Sequence, residues 1–295
     1  MYSNEDARKM LEQGAALVLL NAPKMEFGID GTVWQIGPKF KGLKMIPPGI
    51  HLVHFKYNDI NAEGFLVNLE SKQIVCRQWD PLNEEWTRVE NEEAYSDLYA
   101  LDEFLGPYPL ESYGRWKKMS MNITEINICP LIFTSMTGSH YTLPTTDSSS
   151  FKFTRINLKN SFDPSSTGQL RTKYAIDKSL LIFPTILSEL SISFCIFLFI
   201  LNFDAFEHWK QLMKVLCCSF EAMDTDLYKK FVDLVLVQLE MLANELDDQM
   251  DWVYSLLSNV YREFSDSEKT LKLKRICLKR GWDIAIHDDD LPTIA

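Results

Sequence analysis

A chain of 295 residues that is 46% hydrophobic, with only 12 Gly and 12 Pro, can bury a sizeable core and divides into about two domains. Its net charge of −11 argues against general affinity for nucleic acid or an anionic membrane, because phosphate binding runs on clustered Lys and Arg. Any RNA partner is therefore expected to be reached through another protein.

The six cysteines (Cys76, Cys129, Cys195, Cys217, Cys218, Cys277) lie at no metal-ligand spacing, and most sit in apolar runs. That usage fits a reduced intracellular compartment. The first residues, MYSNEDARKM, have neither the cationic start nor the apolar core of a signal peptide. Without such a signal, the Asn122-Ile123-Thr124 sequon reads as chance.

Asn4 is placed to cap a helix over 5–13 that Gly14 ends, and Ala16 to Leu20 then reads as a buried strand. From 27 to 57, FGIDGTVWQIGPKFKGLKMIPPGIHLVHFKY packs chain-reversing residues densely: Gly28, Gly31, Gly37, Gly42, Gly49, Pro38, Pro47 and Pro48. Interleaved Trp34, Ile36, Phe40, Met45, Ile46, Ile50, Leu52 and Val53 anchor those turns, so the segment predicts short strands in a folded domain. Strand-like runs at Thr32 to Ile36, His51 to Tyr57, Gly64 to Leu69, Gln73 to Trp79 and Glu85 to Val89 predict an antiparallel meander curled into a sandwich or small barrel. Glu92 to Phe104 has helical spacing and stops at Gly106-Pro107-Tyr108-Pro109, and Leu110 to Met119 predicts a second helix that closes the domain.

Beyond it, residues 121–177 predict a linker, rich in Ser, Thr and Gly over Thr134 to Ser150 and holding one short alternating strand, FKFTRI, at 151–156. From 178 to 295 the pattern is helical. Leu180 to Phe203 imitates a membrane span with Glu189 as its one charge. Pro184, Ser188, Ser191 and Ser193 interrupt it, however, and the purest run, Ile192 to Phe203, falls short of the ~20 residues a span needs. A buried core helix is the expectation. Phe206, Trp209, Leu212, Met213 and Leu216 share one face of a helix over 205–218; Leu227, Phe231, Leu234, Val235, Met241 and Leu242 do so over 226–246. Val253, Leu256, Leu257, Val260 and Phe264 continue the pattern, and a basic helix near 267–279 carries Lys272, Lys274, Arg275, Lys279 and Arg280 as a solvated face. The class expected is α+β: a β-rich front (1–120), a linker (121–177) and an all-α back (178–295).

No catalytic or metal set is apparent. His51 and His54 of HLVH point to opposite faces of a strand and read as ordinary strand histidines. Cys217-Cys218 bridges only with strain. In Gly37-Pro38-Lys39-Phe40-Lys41-Gly42, Pro38 removes a donor amide and no Gly-Lys-Ser or Gly-Lys-Thr follows, so it is not a phosphate loop. Nothing resembles a nucleophile elbow, and no cofactor is expected. Asp288-Asp289-Asp290 reads as a solvated tail, although Ile284, Ala285 and Ile286 beside it form a short extended stretch suited to adding a strand to a partner's sheet.

Four blocks together resemble one family: the FGID…W…GPKFKG…IPPGIHLVH series, LDEFLGPYP at 101–109, FCIFLFILNFDAFEHWKQLMKVLC at 194–217 and RGWDIAI at 280–286. The chain is similar to the AAR-two splicing-factor family. That resemblance implies a VHS-like helical domain behind the β-rich one, and a non-enzymatic assembly chaperone of the U-five small nuclear ribonucleoprotein. Such a chaperone binds the RNase-H-like and Jab/MPN domains of the Prp-eight scaffold and keeps the spliceosomal helicase from docking early. It implies a protein that is monomeric when free and is found in cytoplasm and nucleus, with no direct nucleic-acid or membrane partner. Trp34, Lys39, Phe40, Lys41, Lys44, Trp282, Ile284 and Ile286 are the expected partner-binding residues, and Thr145, Thr146, Ser148, Ser149 and Ser150 the expected phosphorylation sites. The stretch from Met121 to Lys178 and the tail after Ile286 are shorter than the family pattern. Two other classes remain open: an enzyme with a pocket beneath 27–57, and a membrane-attached adaptor using 180–203.

Overall fold

The computed structural model describes residues 4–58, 61–89, 98–123, 133–134, 186–217, 225–242, 253, 257 and 267–281. The chain forms two compact units. The first takes in Met1–Lys152 together with Cys195–Asp204; the second takes in Phe153–Phe194 and Ala205–Ala295.

The first unit opens with helix α1 (Asn4–Gln13). It ends where Gly14 donates its amide to the Met10 carbonyl at 2.8 Å. Nine strands then follow: β1 (Ala15–Leu20), β2 (Met25–Ile29), β3 (Thr32–Ile36), β4 (Gly42–Ile46), β5 (Gly49–Tyr57), β6 (Asn61–Leu69), β7 (Ile74–Asp80), β8 (Glu85–Arg88) and β9 (Leu105–Pro107). Before β9 come the short helix α2 (Leu98–Leu101) and a 3₁₀ turn (Asp102–Phe104); after it come α3 (Leu110–Ser120) and the two-residue strand β10 (Phe133–Thr134).

The strands make two five-stranded sheets, ordered β8-β7-β1-β4-β9 and β10-β6-β5-β2-β3. The expected all-antiparallel meander is not what forms. β1 runs parallel to β7, and β4 parallel to β9. The cause is that β1, nearly all apolar in AALVLL and buried at Ala15 through Leu19, takes the centre of its sheet and draws distant strands to both sides. Met25–Ile29 and Gly42–Ile46 are strands that their glycines concealed. Gly42, at φ +131, crosses so close to β1 that a Cβ there would lie 1.9 Å from the Leu17 carbonyl oxygen. The helix expected over Glu92 to Phe104 is described from Leu98, as α2 and then the 3₁₀ turn, and it ends at Phe104 because Leu105 leaves it to pair with Gly42; residues 92–97 lie outside the described residues.

Between the sheets lies the core. Leu17, Leu19, Ile46, Val75, Trp79 and Trp86 of the first sheet meet Phe27, Ile29, Val53, Phe55 and Phe65 of the second, all buried. Period-two alternation puts these residues inward. Each such burial contributes about 1.5–3 kcal/mol.

The second unit is helical where described. α4 (Ile186–Ile200) begins in it and ends in the first unit; α5 (Phe203–Cys217), α6 (Thr225–Met241) and α7 (Ser267–Lys279) follow. Gln238 of α6 ties three helices together: its side chain accepts the Trp209 indole N–H at 3.0 Å and donates to the Leu190 carbonyl at 3.3 Å. α6 is apolar on more than the one face expected, with Phe231, Val232 and Leu234 through Leu239 all buried. α7 packs on α6 through Leu273, Ile276 and Cys277, flanked by the pairs Lys269–Asp233 (2.7 Å) and Lys272–Glu240 (3.1 Å). Arg280 donates to the Leu239 and Leu242 carbonyls at the end of α6. Arg280 is therefore structural, while Lys272, half-exposed in its surface pair with Glu240, shares the solvated side of α7 with Lys274, Arg275 and Lys279.

Candidate functional site

The turn-rich segment builds a sealed polar cluster at one end of the sandwich. β2 and β3 are joined by Asp30-Gly31, at φ +52 and +84, so both turn residues are left-handed as a two-residue hairpin of strands with right-handed twist requires. The hairpin aims the Asp30 carboxylate inward. It accepts the Leu52 amide at 3.0 Å, the Tyr108 hydroxyl at 2.6 Å and His51 Nδ1–H at 2.5 Å. The other ring nitrogen of His51 lies 2.7 Å from the Pro47 carbonyl. Both nitrogens thus face acceptors, which the imidazolium satisfies and a neutral ring does not. Burial opposes that charge. The Asp30 carboxylate, by charge and hydrogen bond, and the Pro47 carbonyl outweigh it, so the pKa of His51 sits above its usual value. Trp116 of α3 donates to the Ile50 carbonyl at 2.7 Å, and Thr32 to Ser112 at 3.1 Å, so α3 is clamped over the same corner.

On the opposite face of the second sheet, Gly28, His54 and Gly64 stand in one row across β2, β5 and β6. The last turn of α4 rests on that row within the first unit. Phe199 stacks on His54 with centroids 5.9 Å apart and planes 10° from parallel. A Cβ on Gly64 would meet Val53 O at 2.6 Å and Ile200 Cδ1 at 2.8 Å. His54 Nε2 is buried with no hydrogen-bond partner, and burial lowers the ring's pKa to about 4. His51 and His54 do point to opposite faces, as a strand demands, and no group of three or more metal-ligating side chains occurs among the described residues.

The expected docking residues scatter over this frame. Trp34 and Phe40 are half-buried against the core, Phe40 at 5.5 Å from Phe27. Lys39 is exposed on the turn between β3 and β4, and Lys41, half-buried, donates its amide to the Phe104 carbonyl at 2.9 Å. Lys44 pairs with Asp102 and braces β4 against the 3₁₀ turn. Among the described residues β3 is the outer strand of its sheet, with Val33 44% exposed. Trp282, Ile284, Ile286, Thr145, Thr146, Ser148, Ser149 and Ser150 lie outside the described residues, as does the strand expected at 151–156.

Titratable groups do converge beneath 27–57, as an enzyme would need. They are sealed: Asp30, His51 and Tyr108 are 5%, 1% and 3% exposed, and both ring nitrogens of His51 are engaged. Cys195, near enough to feel the Asp30 charge, has its thiol pushed far up by burial and then by that charge, which leaves it inert. This cluster can hold a hairpin, a strand and a helix in register; it presents no group to a substrate. Nor is any helix among the described residues long and apolar enough to cross a membrane. α4, at 15 residues, is about 22 Å long against a ~30 Å hydrocarbon layer.

Sequence reasoning missed the partnership of Asp30, His51 and Tyr108. Its signal was present, because all three lie in the FGID, IPPGIH and LDEFLGPYP blocks.

Fold and site together define an α+β protein with a two-sheet front unit and a helical second unit, whose buried polar groups serve architecture. Residues 13–131 match the AAR2 N-terminal domain, and residues 153–283 match the AAR2 C-terminal repeat region. The chain is similar to the Protein AAR2 homolog of Mus musculus and that of Homo sapiens, each 28% identical over 362 aligned positions that cover 97% of this chain and 94% of the relative. It is also similar to the Protein AAR2 homolog of Caenorhabditis elegans, 38% identical over 124 residues, covering 39% of this chain and 34% of the relative. The chain belongs to the AAR2 family.

Proposed function

We propose that this protein is a pre-mRNA splicing factor, a non-enzymatic assembly chaperone of the U-five particle. It binds the RNase-H-like and Jab/MPN domains of a Prp-eight-type scaffold and withholds that surface from the helicase. The observation that carries the reading is family membership extending over both units, 13–131 and 153–283. The acidic net charge of −11 favours a protein partner over RNA, and the sealed Asp30–His51–Tyr108 cluster favours work by shape. The free protein is monomeric and shuttles between cytoplasm and nucleus. Val33 on the exposed rim of β3 and Lys39 on the turn that follows it, beside Trp34 and Phe40, form the front docking patch with Lys41 and Lys44, and Trp282, Ile284 and Ile286 the rear one.

Release is set by phosphorylation of Thr145, Thr146, Ser148, Ser149 or Ser150, in the stretch between the two family matches, where added charge beside Asp147 reorders the connection. The test of the whole reading is capture from nuclear extract on the recombinant chain, followed by mass spectrometry. Recovery of the splicing scaffold is expected; recovery of metabolic enzymes, or of nothing, overturns it. Replacing the five hydroxyl residues by Ala is expected to block kinase-dependent release, and unaltered release removes the phosphorylation step alone.

A further inference from the structure

Helix α7 carries two apolar stripes where a surface helix needs one. Leu273, Ile276 and Cys277 are buried toward α6, while Leu271 and Leu278, seven residues apart, stand 60% and 62% exposed on the far side. At about 100° per residue the two leucines fall nearly in line, with Lys274 about 50° to one flank, Arg275 about 50° to the other and Lys279 beyond Arg275. These five side chains line one shallow groove with an apolar floor and a cationic rim.

The charge of this helix runs against that of the chain. In a protein of net charge −11, residues 267–280 hold Lys269, Lys272, Lys274, Arg275, Lys279 and Arg280 against one carboxylate, Glu268. Half of those cations are engaged within the unit: Lys269 with Asp233, Lys272 with Glu240 and Arg280 with the Leu239 and Leu242 carbonyls. Lys274, Arg275 and Lys279, the three that flank the leucines, form no ion pair with any described residue. Glu268 stands at the amino end of α7, where the helix dipole favours an acid, and leaves the groove to the cations.

Exposed leucines one heptad apart, with cations on both flanks, are one half of a helix pair. The other half needs apolar residues at the same spacing and acidic neighbours. We propose that the outward face of α7 is the docking surface for an acidic amphipathic helix of another protein, which seats its apolar stripe on Leu271 and Leu278 and sets carboxylates against Lys274, Arg275 and Lys279. A short helix feels this rim alone, because exposed charges are screened beyond ~8 Å at physiological salt. RNA or an anionic bilayer extends far past that range and meets the acidic remainder of the surface. The inference goes beyond the splicing assignment and does not rest on it.

Fluorescence anisotropy on the full chain tests it, with a fluorescein-labelled synthetic helix of about 15 residues as probe. The probe carries leucine at the first and fourth positions of each heptad, glutamate beside them and alanine elsewhere; its twin carries lysine in place of glutamate. The acidic probe is expected to bind the unaltered chain with a micromolar Kd, and the lysine twin about tenfold more weakly or not at all. K274E/R275E/K279E inverts that preference, so that the lysine twin binds and the acidic probe does not. L271S/L278S, two changes at exposed positions, weakens the acidic probe about tenfold by a second route, which tests the proposal even if the charge reversals perturb folding. Absence of saturable binding below about 1 mM overturns the proposal, as does equal affinity for the two probes or an affinity that neither set of changes moves. A uridine oligonucleotide or phosphatidylserine vesicles that bind more tightly than the acidic probe, and are lost with K274E/R275E/K279E, overturn it by making RNA or lipid the occupant. A dimer in sedimentation that L271S/L278S returns to monomer overturns it by making a second copy the occupant.

Discussion

Asp30 shows how one side chain holds three elements. Its carboxylate takes hydrogen bonds from β5 twice and from Tyr108 once, all among buried residues. Removing one partner of a buried charged pair leaves the other uncompensated, at a cost of about 3–5 kcal/mol. Asp30→Asn is therefore expected to lower the unfolding free energy by about that amount in urea titration at pH 6. The pH dependence has a definite sign. His51 binds its proton more tightly folded than unfolded, so the pair's contribution is complete below pH 6.5 and is lost as pH rises through the raised folded value. Asp30→Asn abolishes that alkaline decline. Glu63 on β6 behaves as an acid of the opposite temper: burial, then Glu85 and Glu84, push its pKa from 4.5 to about 7. A raised carboxyl pKa means stability is highest below pH 4.5 and falls as pH climbs to about 7. After screening of a partly exposed group, about 1 kcal/mol is at stake. Glu63→Gln should raise the urea midpoint at pH 8 and leave it unchanged at pH 4; an unchanged midpoint at pH 8 refutes the assignment.

At the scale of elements, what could be read in advance follows from what each strand touches. Thr32–Ile36, bounded by Gly31 and Gly37, was legible to the residue, and the α3 helix nearly so, because local chemistry sets both ends. β2 and β4 were not, since Gly28 and Gly42 look like turn residues until the backbone or ring they admit is in place: the His54 ring over Gly28, the Leu17 carbonyl against Gly42. Parallel pairing of β1 with β7 joins residues nearly sixty positions apart, beyond any local pattern. The buried helix within 180–203 was legible from its interruptions, while the glycine row that receives its last turn was not. That row makes a test. Gly64→Ala drives a methyl against the Val53 carbonyl, which as backbone cannot yield, and is expected to cost about 2–3 kcal/mol. Gly37→Ala, with nothing within 4 Å of its Cβ position, should stay within ~0.5 kcal/mol, and thermal unfolding of the two variants side by side measures the difference.

For the molecule as a whole, the boundary drawn by chain order is not the boundary drawn by packing. The family's N-terminal match stops at residue 131, and the last described strand of the first unit ends at Thr134, yet that unit also includes Cys195–Asp204 from far downstream. Phe199 and Ile200 in this returning segment cover His54 and Gly64 on a sheet face that also carries Leu52 and Leu66, all buried. A fragment cut at residue 131 keeps the first sheet, the second sheet short of its two-residue edge strand β10, and the Asp30 cluster, but loses that cover. It should therefore keep strand structure by circular dichroism while binding an apolar dye strongly and melting below the full chain, since uncovered apolar area weakens a fold by about 25 cal/mol per Å². In the full chain, F199S/I200S should reproduce the dye binding with far-ultraviolet dichroism unchanged. A fragment 1–131 that melts with the full chain and binds no dye would show that the returning segment is dispensable, and that the front unit is closed by residues preceding it.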